Sequence, residues 1–332
     1  MNTIDNRRAL VTGCAGFLGS HLSERLLADG YEVVGVDCFT DFYDRATKES
    51  NVARLRDEPR FSLLETDLSS DPIDGLLEGI DEVYHLAAQA GVRGSFGDSF
   101  AVYLRNNVQA TQRLLEQAAR NPVSTFVYAS SSSVYGDAAV YPTAEDAPRL
   151  PLSPYGMTKV ATEEIAGVYH RNHGVRTIGM RYFTAYGPRQ RPDMAFNRFI
   201  RKALAGEPVV VLGDGLQVRD FTYVDDLIAA TRAAAERGIG GSVYNVGGGQ
   251  PVELRSVIEM IEQVLERPIM VEHRPAARGD VGRTGADCSR AARELGVTPT
   301  VSLAEGLAAE VQWVLEPQHI TRFASAWAPI AA

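Results

Sequence analysis

Through the first half of the chain, short apolar runs alternate with segments whose apolar residues recur every three or four positions. Ala9–Thr12, Val33–Asp37, Val83–Ala87 and Phe126–Ser130 have the length and composition of buried strands, and Asp67-Leu68 marks the end of a further one. His21–Asp29 and Asn107–Ala119 carry the helical spacing between them, and Thr177–Arg181 and Val243–Val246 read as later strands. Strand–helix–strand alternation predicts an α/β fold with a doubly wound parallel sheet covered on both faces. After Tyr186 the pattern changes: Pro188, Pro192 and Pro208 punctuate short elements, Gly213–Gly215 makes a turn, and Leu254–Leu265 has helical spacing. The expected division is a first domain over 1–186, completed by about 218–250, and a smaller lobe over 187–217 and 251–315. Residues 316–332 form a tail without usable pattern.

The first strand runs into Thr12-Gly13-Cys14-Ala15-Gly16-Phe17-Leu18-Gly19, and a helix follows. Gly13 permits a tight turn, Gly16 lets the backbone approach a pyrophosphate, and Gly19 allows close helix–strand packing. The helix that starts there offers free N–H groups and the positive end of its dipole to phosphates. This strand–glycine turn–helix order predicts a dinucleotide-binding Rossmann sheet. Asp37 ends the second strand about twenty residues on, where a carboxylate bonds ribose hydroxyls and repels a 2′-phosphate. No arginine follows it directly, so NAD is expected rather than NADP.

Composition narrows the functional classes. The 332 residues are 45% hydrophobic and carry a formal net charge of −9 with no basic run, which argues against nucleic-acid binding. No apolar run approaches the ~20 residues of a membrane span, and the N-terminal residues lack the apolar stretch of a signal peptide. The three cysteines, Cys14, Cys38 and Cys288, are odd in number and far apart, as for reduced thiols. The six histidines show no metal-ligand spacing. A cytoplasmic protein without a metal site is expected.

Tyr155 and Lys159 stand four residues apart and share one face of a helix, after the serine-rich segment Ser130–Ser133. Together with the opening TGxxGFLGxH, these residues resemble the extended short-chain dehydrogenases. The similarity continues through His85-Leu86-Ala87-Ala88-Gln89, Asn106-Asn107-Val108, Ser130–Gly136, Tyr155–Lys159, Arg181–Thr184 and Arg219–Val224, covering about residues 7 to 313. The chain is thus similar to the nucleotide-sugar epimerase/dehydratase group. Gln89–Arg93, Phe183-Thr184 and Arg191-Pro192-Asp193-Met194 are most similar to UDP-glucuronate 4-epimerases.

The resemblance implies tightly bound NAD, held by Gly13, Gly16, Phe17, Leu18, Gly19, Asp37, Asp67, Leu68, Leu86, Ala87, Ala88, Gln89, Asn106, Tyr155, Lys159 and Tyr182. It implies Tyr155 as general base on the sugar O4–H while hydride leaves C4, with a neighbouring ammonium and an oxidised nicotinamide pulling the phenol down. Lys159 would hold the nicotinamide ribose, and Ser131, aided by Ser132 or Ser133, would bond the same oxygen. Arg93, Thr184, Arg191, Asn197, Arg219 and Arg278 are the implied substrate contacts. The arginines suit diphosphate or carboxylate, although Arg191 also has Asp193 as a nearby partner and Arg278 is readable as a surface charge. Related dehydratases carry an Asp-Glu pair, and decarboxylases a Glu, where Ser132-Ser133 stand, so 4-epimerisation is what remains. UDP-glucose and UDP-N-acetylglucosamine are the alternative substrates, and a scaffold that lost catalysis is the alternative class. A homodimer is implied through helices near Val102–Ala119 and Pro154–His170.

Overall fold

The computed structural model describes residues 7–276, 279–316 and 319. Strands β1 (Arg8–Thr12), β2 (Glu32–Asp37), β3 (Phe61–Glu65), β4 (Glu82–His85), β5 (Thr125–Ser131) and β6 (Thr177–Tyr182) join a seven-stranded sheet. Its seventh strand, Val243–Val246, comes from much later in the chain, and every pairing is parallel. Three short strands intervene: β7 (Thr184–Tyr186), β8 (Val209–Leu212) and β9 (Val218–Tyr223). The late sheet strand is therefore β10, and β11 (Pro251–Glu253) and β12 (Val271–Arg274) follow it. The order β10-β6-β5-β4-β1-β2-β3 reverses direction between β1 and β4, which opens a crevice at the carboxyl ends of those strands.

Alternation along the strands explains their continuous apolar composition. Ala9 and Val11 of β1 enter one core, while Leu10 between them enters the core on the opposite face. The first face is covered by α1 (Phe17–Ala28) and α7 (Val224–Arg237), through Leu22, Leu26, Leu227 and Ile228. The second is covered by α4 (Ala110–Arg120) and α5 (Pro154–His173), through Leu114, Leu115, Ala166 and Tyr169. Fully buried leucines such as Leu10 and Leu22 each contribute about 2 kcal/mol of transfer free energy, more than helix propensity supplies. The other helices are α2 (Arg45–Arg56), α3 (Phe100–Tyr103), α6 (Ala195–Ala205), α8 (Leu254–Leu265), α9 (Ser289–Leu295) and α10 (Leu303–Leu315). Helices α6, α8 and α10 enclose a separate apolar core with β8 and β9, built on Phe196, Ile200, Val211, Ile261 and Val311.

Two elements differ from their sequence expectation. The run Val83–Ala87 is strand only to His85: the Leu86 amide makes the last ladder bond, to the Thr12 carbonyl (3.3 Å), and the Ala87 amide turns to Thr12 Oγ1 (3.1 Å). The helix expected from Asn107 begins earlier, at Phe100, and passes through a π-helical segment, Leu104–Gln109, before α4. One extra residue per turn there divides two adjacent asparagines. Asn106 lines the crevice. Asn107 is buried behind it and bonds the Gln89 amide (2.7 Å), the Gln89 carbonyl (3.0 Å) and Thr158 Oγ1 (3.0 Å).

Candidate active site

The crevice is a cleft of about 380 Å³ floored by the glycine turn and walled by the ends of β2, β4, β5 and β6. Gly13 takes a φ of +71°, and a Cβ there would lie 2.9 Å from the Ala87 amide nitrogen. A Cβ on Gly19 would lie 2.0 Å from the Gly13 carbonyl oxygen, so α1 approaches the turn at a distance only glycine allows. Gly16 is the N-cap of α1 and no side chain caps that end. Gly16, Phe17, Leu18 and Gly19 line the cleft with the uncapped first turn, a donor set that fits a pyrophosphate.

Asp37 closes one end. Its carboxylate accepts the Ala15 amide (3.1 Å) and the Phe39 amide (2.9 Å), so it braces the glycine turn as well as facing the cleft. Burial pushes its carboxyl pKa up, against those N–H bonds and the charge of Lys48. Lys48, which sequence reasoning missed, is buried at this end. Its ammonium donates to the Thr40 carbonyl (2.6 Å) and lies 4.8 Å from the centre of the Tyr43 ring. Phe42 and Tyr43 were missed too; the aromatic pair just beyond Asp37 was the available signal. Leu68, Ala88 and Asp67 complete this half, although Asp67 spends one oxygen on the Ser69 amide (2.8 Å) and hydroxyl (2.6 Å).

At the other half the ends of β5 and α5 meet. The Ser153 hydroxyl caps α5 by accepting the Gly156 amide (3.1 Å) with Pro154 in the first turn, which sets Tyr155 at the helix start facing the strand end. Ser131, Ser132, Ser133, Tyr155, Lys159, Tyr182 and Thr184 all line the cleft. The Ser131 oxygen accepts the Ser133 amide (3.1 Å) and its hydroxyl donates to Ser133 Oγ (3.1 Å), with the Tyr155 phenol in the same stretch of the cleft lining. Burial pushes the Tyr155 phenol up from its ordinary value, while the nearby Ser131 hydroxyl and the Arg191 guanidinium pull it down. The net direction is upward, so in the protein by itself burial outweighs the expected acidification. The Lys159 ammonium donates to the Ala129 carbonyl (2.8 Å) and lies 5.9 Å from the centre of the Tyr155 ring. Burial lowers its pKa to about 8 while Glu163 holds it up. Tyr182 directs its hydroxyl away, to Thr231 Oγ1 (2.7 Å).

The implied substrate contacts separate into groups. Arg191 enters the cleft, close enough for its charge to act on Tyr155 and Tyr43, and chelates Asp193 through Nε and Nη2, both at 2.9 Å. Arg93 and Arg219 lie outside the cleft lining but converge on Asp280, at 3.5 and 2.5 Å. Asn197 is fully buried and points elsewhere: its amide donates to the Gln190 carbonyl (2.6 Å) and its oxygen accepts from Arg201 Nε (2.6 Å). Arg278 lies outside the described residues.

Similarity to known proteins follows this geometry. Residues 9–247 match the model of the NAD dependent epimerase/dehydratase family. A solved structure of UDP-glucuronic acid 4-epimerase from Bacillus cereus, with UDP-glucuronic acid and NAD, is 42% identical with a TM-score of 0.90, over 92% of this chain and 98% of that one. An uncharacterized UDP-glucose epimerase of Bacillus subtilis is 40% identical over 92% of this chain and 98% of its own length. The UDP-glucuronate 4-epimerase of Thermodesulfobacterium geofontis is 38% identical over 92% and 96%. With its glycine turn, its Tyr155–Lys159 pair and its parallel sheet, the chain belongs to the NAD dependent epimerase/dehydratase family.

Proposed function

We propose that the chain is an NAD-dependent UDP-glucuronate 4-epimerase, and the position of Arg191 beside Tyr155 carries the sugar assignment. Asp193 takes the Nε edge of the guanidinium, which leaves the Nη1 hydrogens and the second Nη2 hydrogen to a further carboxylate. Asp193 thus orients the arginine without using up its fork. NAD, held by the glycine turn and Asp37, would supply the hydride acceptor for C4 and a positive charge that favours the tyrosinate. Tyr155 removes the O4 proton and later restores it, Ser131 bonds the same oxygen, and Lys159 lends its charge from the next turn of α5. Ser132 and Ser133 offer no acid to remove a C5 proton, which supports epimerisation over dehydration. Arg93 and Arg219 are suited to the diphosphate, with 187–217 and 251–315 acting as the substrate lobe.

The Arg191–Asp193 pair also favours a second reading, a UDP-hexose epimerase in which that arginine is already satisfied. Incubating the purified protein with UDP-glucuronate and UDP-glucose separately, with products resolved by NMR, decides between the two. Conversion of UDP-glucose alone overturns the uronate assignment.

The exposed apolar side chains Leu104, Met157 and Val168, on the π segment and α5, support a homodimer through that face. Unpaired Cys14, Cys38 and Cys288 support a cytoplasmic setting. No helix among the described residues is long and apolar enough to cross a membrane.

Cofactor choice is testable at Asp37. Replacing it with Ala while Cys38 becomes Arg removes two charge-assisted bonds to backbone N–H groups, each worth about 2 kcal/mol. The expected result is protein that no longer retains NAD on purification and gains measurable NADP binding by calorimetry. Wild-type protein isolated with NADP contradicts this reading of Asp37.

A further inference from the structure

Three successive residues at the end of β5 are matched with three residues one turn apart on α5. Ser131 and Tyr155 line the cleft together, the Ala129 carbonyl accepts from Lys159 Nζ (2.8 Å), and Ser130 Oγ donates to Glu163 Oε1 (2.5 Å). The first two pairs belong to the reaction centre already described. The third does not, and Glu163 is 6% exposed. Its remaining capacity is filled from β6 and from the loop before α5: Arg181 Nε (2.8 Å) and Nη2 (2.7 Å) and Arg149 Nη1 (3.2 Å).

We propose that Glu163 is a positioning residue of the reaction: it is the counter-charge of the buried Lys159 ammonium and the clamp that fixes the Ser131 strand end against the Tyr155 helix. The proposal rests on the reading that Tyr155 and Lys159 act in catalysis.

The surrounding charges show why one carboxylate matters. His85, on β4, is held neutral by burial and by Lys159 itself, which lower its pKa to about 3. Tyr128 on β5 and Tyr135 in the following turn are pushed up by burial and stay protonated. Arg181 is 3% exposed and also donates to Tyr135 (2.7 Å) and the Glu145 carbonyl (2.8 Å). Glu145 turns its carboxylate to the Asn245 amide (2.9 Å), and Glu164 pairs with Arg149 at the surface. Tyr103 on α3 meets Tyr155 edge-on, and Arg191 lies close enough for its charge to act on Tyr155. Neutralising Glu163 therefore leaves Lys159, Arg181 and Arg149 as neighbouring cations, and like charges disfavour the charged form of the lysine.

Lys159 can be observed directly, because the chain has three lysines, Lys48, Lys159 and Lys202. NAD-loaded protein carrying [13Cε]lysine, titrated by NMR, reports the Lys159 midpoint independently of turnover. Glu163→Gln is expected to lower that midpoint by about one pH unit, a roughly tenfold change in ionisation constant. The alkaline limb of kcat moves down with it while KM for UDP-glucuronate changes little, and Glu163→Asp restores most of both. Arg149→Met, at the exposed end of the cluster, moves the midpoint the other way and gives the same reading should Glu163→Gln not fold. An unmoved midpoint, or a shift of the same sign in both variants, overturns the proposal. A moved midpoint with an unmoved kcat limb upholds the counter-charge and overturns the catalytic reading of Lys159 instead.

Discussion

Tyr155→Phe is expected to lower kcat about a thousandfold for any sugar the protein turns over, while the fold and retained NAD are unchanged. The ring keeps its edge-on contact with Tyr103 at 6.3 Å, so packing is preserved. Ser131 keeps both of its bonds to Ser133, so removing the phenol oxygen leaves no orphaned hydroxyl and costs under about 1 kcal/mol of stability. In the proposed mechanism what disappears is the group that moves the O4 proton, an interaction that strengthens on the way to the transition state. The loss therefore falls on kcat and kcat/KM together, with little change in substrate affinity. Steady-state assays alongside thermal melting and cofactor content check the result. Turnover within a few fold of wild type would remove Tyr155 from the mechanism.

Arg191→Ala carries the second large effect. UDP-glucuronate turnover is expected to fall a hundredfold or more, while any UDP-glucose turnover changes only a few fold. The guanidinium is paired with Asp193 and partly buried in the cleft wall, so in the proposed pose a neutral hexose leaves its open fork without a partner and a uronate fills it. In the proposed reading the arginine has a second task. Oxidation at C4 makes the uronate a β-keto acid, and carbon dioxide leaves when its bond aligns with the carbonyl π-system. A carboxylate clamped near the carbonyl plane resists that alignment, so the variant should also release a decarboxylated pentose product visible by NMR. Asp193 is left unpaired in Arg191→Ala, so the double variant with Asp193→Ala separates loss of the fork from the cost of the stranded carboxylate. Equal losses on uronate and hexose in both variants would refute the assignment.

Much of the framework was legible because a parallel sheet covered on both faces demands unbroken apolar runs, as in β1, β2 and β6. The edge strand β3 alternates irregularly, with Ser62, Leu64 and Glu65 exposed, so only the turn after it gave it away. The overlong reading of β4 arose because Leu86 and Ala87 are apolar for the cleft rather than for the sheet. The π segment left no trace, since one inserted residue barely disturbs apolar spacing of three and four. At the site, the glycine turn and the Tyr155–Lys159 pair were legible because helix and turn geometry fix their spacing. Lys48, Asn107 and Glu163 depend on which loops and strands they reach across the fold, which no local spacing encodes.

The late arrival of β10 bears on how specificity can be moved between relatives. Everything after residue 186 is not a detachable module: α7 and β10 leave the smaller lobe to finish the main sheet, with Ala230, Ala233 and Ala234 packed in its core. A chimera cut once at that point would carry away an edge strand and two covering helices, α7 and α9, along with the proposed substrate lobe. Exchanging the proposed lobe segments 187–217 and 251–315 takes four splice junctions and keeps α7 and β10 native, but Ala291 and Leu295 of α9 pack in the same core and have to stay with them.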